Sequence, residues 1–134
     1  MRERARIVVV GAGIAGASIA WHFAQRGETD VLVLDRSEPT SGSTFQSAGL
    51  VGQLRGSLPL TTMMMHSVDV YRRLEADADR TGRSTGWREV GSLRIASTTA
   101  RLEELRRQHG WAQTFGLPME LVSARECVDR FPLM

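Results

Sequence analysis

The chain has no lysine and a single cysteine. Cys127 is the only cysteine among 134 residues, which excludes an intrachain disulfide and a C-x-x-C redox motif. The simplest interpretation of Cys127 is a small apolar core residue in a reducing compartment. We therefore expect a cytoplasmic location.

The net charge is small for a chain with so many basic residues. The chain has no lysine, so arginine supplies all 17 basic residues, which are interleaved with 15 acidic ones to give a net charge of +2. This mixture is typical of a solvated surface, and we expect no nucleic-acid partner. Aromatic residues are only 6% but hydrophobic residues are 42%, which indicates a soluble globular chain rather than a disordered one.

Motifs for metal binding and nucleophilic catalysis are absent from the sequence. The three histidines, His22, His66 and His109, all fall on predicted helices. None has a metal-ligand partner at suitable spacing, and none has a neighbour that would complete a nucleophile–base–acid triad. We therefore predict no metal site, and the catalytic residues stay unknown.

The longest stretch without a formal charge, Ile7 to Ala24, follows a basic start and resembles a signal peptide or a marginal membrane span. Glycine and alanine dilute its apolar character, and a second strand follows at the distance that a soluble fold requires. We therefore expect no membrane segment. Ile7 to Val10 reads as a buried parallel strand, Ile14 to Arg26 as a helix, and Val31 to Leu34 as a second strand.

A G-x-G-x-x-G fingerprint joins the first strand to the helix. Gly11 permits a tight turn, Gly13 lets backbone approach a pyrophosphate, and Gly16 lets the helix pack on the sheet. Asp35 ends the second strand about 20 residues later, where its carboxylate can accept hydrogen bonds from adenosine ribose hydroxyls and repel a 2′-phosphate. The pattern predicts NAD or FAD rather than NADP. The predicted cofactor-binding residues in this part are Gly11, Gly13, Ile14, Ala15, Gly16, Asp35 and Arg36.

The remaining chain is predicted to be mixed helix and strand. Apolar spacing indicates helices over about 60–78 and 99–115, strands within 86–97 and at 119–123, and a last helical turn. Ser123 and Glu126 have the spacing of a capping box for that turn. Between the fingerprint and the first of these helices lies GSTFQSAGLVG (42–52), whose composition alone would suit a linker.

The order of these pieces resembles the N-terminal part of FAD-dependent amine oxidoreductases. Four segments resemble the family in this order: "RIVVVGAGIAGASIAWHFAQRGETDVLVLDR", "SGSTFQSAGLVGQLR", "TGWREVGSLRIASTTARLEEL" and "LVSARECVDRFPLM". The sequence is most similar to sarcosine and dimethylglycine dehydrogenases, within the wider D-amino acid oxidase and glycine oxidase group. The resemblance covers essentially the whole chain.

The resemblance implies that segment 42–52 runs beside the flavin rather than serving as a linker. It places Ser43 and Thr44 near the pyrophosphate, and Ala48, Gly49 and Leu50 near the isoalloxazine ring. Several members of the group have a histidine bonded covalently to the flavin at the position of Gln46. Because an amide is not a nucleophile, we predict that FAD is held non-covalently.

The resemblance also implies a fold class and a domain organisation. We expect an α/β fold with a Rossmann-like FAD-binding βαβ unit, followed by the start of an α+β substrate domain, with boundaries at 1–80 and 81–134. Family members are several times longer, and two strands cannot cover their own faces and edges, so we expect a missing C-terminal portion or a partner subunit.

The expected activity is oxidation of a secondary or tertiary amine by hydride transfer to the flavin. Arg55, just after the flavin segment, is a weaker candidate for attracting an anionic substrate. Two alternatives remain: an NAD-dependent dehydrogenase built on the same fingerprint, and a non-catalytic remnant or subunit.

Overall fold

A βαβ unit opens the chain. The protein is represented by a computed structural model that describes residues 4–133. The unit consists of strand β1 (Ile7–Val10), helix α1 (Ile14–Gln25) and strand β2 (Val31–Leu34). The strands are parallel, with Ile7 opposite Val31. Both strands have their predicted bounds, α1 ends one residue early, and the α/β class is confirmed.

One face of this small sheet is covered and the other is open. Val9 is buried on the side of α1, while its neighbours Val8 and Val10 are 50% and 85% exposed. Because successive side chains of a strand point to opposite faces, Val8 and Val10 share the open face. The predicted burial of this strand therefore holds only for Val9 in the described chain, because α1, the only described helix packed on the sheet, covers a single face.

Helices dominate the rest of the described chain. They are α2 (Leu58–Ala76), α3 (Ala78–Thr81), α4 (Thr99–Thr114) and α5 (Ala124–Arg130). The two long helices agree with the predicted 60–78 and 99–115 to within two residues. The Ser123 hydroxyl accepts the amide N–H of Glu126, whose carboxylate in turn accepts from Ser123, so the predicted capping box is confirmed.

The strands predicted at 86–97 and 119–123 do not form. After β2, the described residues contain no further strand. Val90 and Ile95, predicted to be apolar strand positions, are 84% and 59% exposed, and Gly91 turns the chain with φ +70°. A strand is defined by its ladder of hydrogen bonds, and apolar β-branched residues alone do not supply the partner that such a ladder needs.

The chain forms two compact units, one up to Leu50 and one from Val51. The second unit has its core at Leu54, Ala112 and Leu117, against which Met65 and Phe115 pack. The predicted domain boundary at residue 80 concerns the longer family architecture and stays a prediction. The first three residues of the first predicted domain (1–3) and the last residue of the second (134) lie outside the described residues.

Residues 4–133 contain neither a helix suited to span a membrane nor a cluster suited to hold a metal ion. No helix within residues 4–133 combines the length and apolarity that a membrane span needs. Within the same range, no three His, Cys, Asp or Glu side chains lie close enough together to hold a metal ion.

Candidate dinucleotide-binding site

The turn between β1 and α1 depends on Gly11. Its amide donates to the carbonyl of Leu34 at 2.7 Å, which extends the β1–β2 pairing by one residue. Its φ is +105°, a backbone conformation that side chains rarely adopt, although a Cβ there would meet nothing within 4 Å. Gly11 is thus required by the turn itself, as the sequence predicts.

Gly16 sets how closely α1 approaches this turn. The residue is buried, and a Cβ built on it would lie 1.8 Å from the carbonyl oxygen of Gly11 and 3.3 Å from Cγ1 of Val9. Any side chain would therefore collide with backbone. The predicted role of Gly16 in close helix–sheet packing agrees with this geometry.

The N-terminus of α1 presents amide groups beside the turn. Gly13 is the N-cap residue and has no side chain with which to cap the helix. The Ile14 amide donates instead to the hydroxyl of Thr44, at 2.9 Å from 30 residues along the chain. The amides of Ala15 and Gly16 make no hydrogen bond to another group of the described chain. These two N–H groups, with the partial positive charge of the helix end, are suited to an anion such as a pyrophosphate.

Asp35 lies directly opposite the turn. Its Oδ2 accepts the Ala12 amide at 2.7 Å, and its Oδ1 accepts the Ser37 amide at 2.9 Å. The Ala12 hydrogen bond, followed by that from Ser37, holds the pKa of Asp35 below its usual value, and the amide and charge of Arg36 act in the same direction. The carboxylate is therefore ionised at neutral pH.

An ionised carboxylate has about four acceptor positions, and the two protein amides occupy only two of them. One further position on each oxygen can accept a hydroxyl. Asp35 is solvent-exposed, so both positions are accessible. The fixed carboxylate thus fits the two adjacent hydroxyls of a ribose, and its charge opposes a 2′-phosphate at that place.

The segment after Asp35 folds back onto the fingerprint through two threonines. The Thr40 amide donates to the carbonyl of Ala12 at 3.1 Å, and Thr44 accepts from Ile14. Thr40 has a φ of +68°, which is uncommon for a residue with a side chain. The flavin segment predicted by resemblance is therefore attached to the helix end that would hold the pyrophosphate.

The other predicted residues of this segment have less structural support. Ser43, Gln46, Ala48, Gly49 and Leu50 lie in turns or irregular backbone and are exposed, Leu50 to 87%. The described hydrogen bonds do not link these five residues to the fingerprint. Their predicted contacts with a flavin stay predictions.

Sequence reasoning missed the roles of Ala12, Ser37 and Thr40. The hydrogen bond from the Ser37 amide to Asp35 spans two residues. Aspartate side chains often accept such a bond from the amide two residues on, so this contact could have been predicted. Ala12 and Thr40 act through backbone atoms. Nothing in their residue types could have revealed those contacts.

Two local arrangements stand out in the second unit. Thr61 is fully buried; its hydroxyl accepts the Arg55 amide at 3.0 Å and donates to the Arg55 carbonyl at 3.3 Å. Glu75 accepts from the hydroxyls of Thr85 and Ser84 at 2.6 and 2.7 Å and from the Thr85 amide at 2.8 Å. These bonds, that of the Thr85 hydroxyl first, lower the pKa of Glu75 to about 2.

Comparison with known proteins gives consistent matches over nearly the whole chain. The family described as DAO, FAD dependent oxidoreductase, matches residues 6–134. Dimethylglycine dehydrogenase from Homo sapiens is 34% identical over 99% of the chain, and sarcosine dehydrogenase from Homo sapiens is 36% identical over 97%. The chain spans 15% and 14% of the lengths of these two relatives.

A solved structure is similar as well. Glycine oxidase from Bacillus cereus ATCC 14579 superposes with a TM-score of 0.79 at 25% sequence identity, over 96% of this chain and 36% of that one.

Proposed function

Because the chain belongs to the DAO family of FAD-dependent oxidoreductases, we propose that it binds the ADP half of FAD at the β1–α1 turn and serves an amine-oxidising enzyme. FAD dependence follows from the family and excludes the alternative of an NAD-dependent dehydrogenase. The amine substrate, the hydride transfer and the residue assignments are our proposal. The names of the dimethylglycine and sarcosine dehydrogenases support a secondary or tertiary amine as the substrate class.

The observation that carries the proposal is the convergence of three features at one turn. Gly11 brings the chain sharply out of β1, the amides of Ala15 and Gly16 make no hydrogen bond within the described chain, and the Ala12 amide donates to the Asp35 carboxylate. A pyrophosphate at the helix end and a ribose at the carboxylate are neighbours in FAD. The residues present therefore fit the ADP half of this cofactor.

In this proposal the described residues bind and orient the cofactor rather than react. FAD, when bound, would supply the chemistry by accepting a hydride from the carbon next to the amine nitrogen, which leaves a protonated imine from a secondary amine or an iminium ion from a tertiary one. Arg55 stays a candidate for attracting an anionic substrate. The Thr61 hydroxyl bonds both the amide and the carbonyl of Arg55, which fixes the Arg55 backbone. The Arg55 side chain itself donates to the neighbouring carbonyl of Leu54 at 3.0 Å.

The first test is FAD binding, followed by quenching of flavin fluorescence. Asp35→Asn removes the charge and one of the two acceptor oxygens, and hydrogen bonds to charged groups contribute about 1.5–3 kcal/mol. We expect the Kd for FAD to rise by roughly tenfold or more. Asp129→Asn is the matched control, because it removes one exposed carboxylate from α5 and should leave the Kd unchanged. Equal affinity of Asp35→Asn and the unmodified protein would contradict the ribose assignment.

The second test addresses the linkage and the substrate. Gln46 has no nucleophilic group, so acid precipitation of the flavin-loaded protein should release all of the flavin into the supernatant. Flavin that stayed with the pellet would show a covalent bond and refute the non-covalent assignment. Dimethylglycine and sarcosine should bleach the flavin absorbance of the protein isolated from its source cells. A cofactor that both amines left fully oxidised would argue against this substrate class.

A further inference from the structure

The second glycine of the fingerprint has an unexpected neighbour. Gly13 has φ −77° and ψ −174°, values that any L-residue adopts, so its backbone conformation does not require glycine. A Cβ built on Gly13 would lie 2.9 Å from the hydroxyl oxygen of Thr44, and apart from the adjoining residues no other atom of the described chain comes within 4 Å of it. Within the protein, the space beside Gly13 is therefore restricted by one oxygen atom.

The same oxygen accepts a hydrogen bond at the start of α1. In most helices the side chain of the N-cap residue accepts an amide of the first turn. Here Thr44 Oγ1 accepts the first amide of α1, that of Ile14, at 2.9 Å. A hydroxyl from the flavin segment thus satisfies the N1 amide, which an N-cap side chain does not normally bond, and it fits there because position 13 has no side chain.

We propose that Thr44 is a positioning residue for the cofactor site, and that Gly13 is glycine so that the Thr44 hydroxyl can reach the N-terminus of α1. The hydrogen bond keeps the flavin segment against the helix end before any cofactor binds. Only the consequence for FAD rests on the proposed function; the pairing of Gly13 with Thr44 is a property of the protein alone.

A double-mutant cycle in the full chain without FAD tests the pairing. Gly13→Ala should raise the unfolding equilibrium constant by about fivefold while Thr44 is present, because the hydroxyl must shift away from the new methyl group and thereby weakens its hydrogen bond to the Ile14 amide. In a Thr44→Ala background, the same change should alter that constant by less than about threefold. Gly42→Ala is the control, since a Cβ at Gly42 meets nothing within 4 Å. An equal effect of Gly13→Ala in both backgrounds would overturn the pairing.

Variants at Thr44 test the positioning role even if Gly13→Ala does not fold. Thr44→Ser keeps the acceptor oxygen, whereas Thr44→Val keeps the shape and loses it. We expect Thr44→Ser to retain the FAD affinity of the unmodified protein to within about threefold, and Thr44→Val to weaken it by about tenfold. Equal affinities of the Ser and Val variants would refute the role of the hydroxyl.

The two experiments separate this inference from the proposed function. If the unmodified protein bound no FAD while the Gly13–Thr44 coupling remained in the unfolding data, the proposed function would fail and the pairing would stand. If FAD bound tightly and the coupling were absent, the pairing of Gly13 with Thr44 would fail and the proposed function would stand.

Discussion

Replacement of Gly16 by alanine offers the most direct test of how α1 packs on the sheet. The new Cβ would lie 1.8 Å from the Gly11 carbonyl oxygen. Real contacts of this kind do not fall below 3.0 Å, so the helix and the turn must separate by about 1.2 Å (3.0 minus 1.8). The obstructing atom is backbone, and the amide of the same residue is bonded to Leu34 at 2.7 Å. A side-chain rotation cannot relieve the collision.

The expected loss of stability is the difference between two opposing effects. Overpacking of this kind destabilises by about 1–3 kcal/mol, and an obstruction by backbone places Gly16→Ala at the upper end. Alanine is favoured over glycine inside a helix by about 1 kcal/mol. The net expectation is a loss of roughly 2 kcal/mol in the unit up to Leu50.

Amide hydrogen exchange resolves this loss, because it reports β1 and α1 separately from the second unit. Exchange of β1 and α1 amides should accelerate by roughly thirtyfold in Gly16→Ala. Gly110→Ala, inside α4, is the matched control: its Cβ would meet nothing within 4 Å, so exchange there should slow by up to about fivefold. If Gly16→Ala slowed exchange as Gly110→Ala does, the close approach of α1 to the Gly11 carbonyl would be refuted.

Two further substitutions test local interactions in the second unit. Ser123→Ala removes the capping box and should destabilise α5 by about 1 kcal/mol, seen as faster amide exchange in α5, whereas Ser123→Thr should not. Glu75→Gln tests the depressed pKa: a lowered folded-state pKa stabilises the protein above the ordinary value of 4.5, and that stabilisation is lost as the pH falls towards about 2. Urea unfolding should therefore show Glu75→Gln less stable than the unmodified protein at pH 6, with the difference closing towards pH 2. A difference independent of pH would contradict the shift.

The elements that the sequence predicted well are those determined by neighbouring residues. The apolar runs at Ile7–Val10 and Val31–Leu34, separated by a helix and bounded by glycine, have the predicted bounds because each run is short and clearly terminated. The capping box at Ser123 and Glu126 is also local, spanning three residues. Propensity and spacing are sufficient for such features.

The elements that it predicted poorly depend on partners elsewhere in the chain. Residues 86–97 have apolar spacing typical of strands, yet a strand exists only when another strand accepts its hydrogen bonds. The ribose-side site shows the same limit: Asp35 was predicted, but the amides of Ala12 and Ser37 that orient it were not. Backbone groups leave no signature in residue type, so their contacts emerge only from the folded chain.

The three fingerprint glycines show why a correct motif still leaves its physics undetermined. Gly11 has room for a side chain but a φ of +105° that disfavours one. Gly16 has a helical backbone but no room, because a carbonyl blocks it. Gly13 has an ordinary backbone and a space limited by the movable hydroxyl of Thr44. Only at Gly13, therefore, can a change at a second side chain relieve the substitution, and spacing alone could not have distinguished it from the other two.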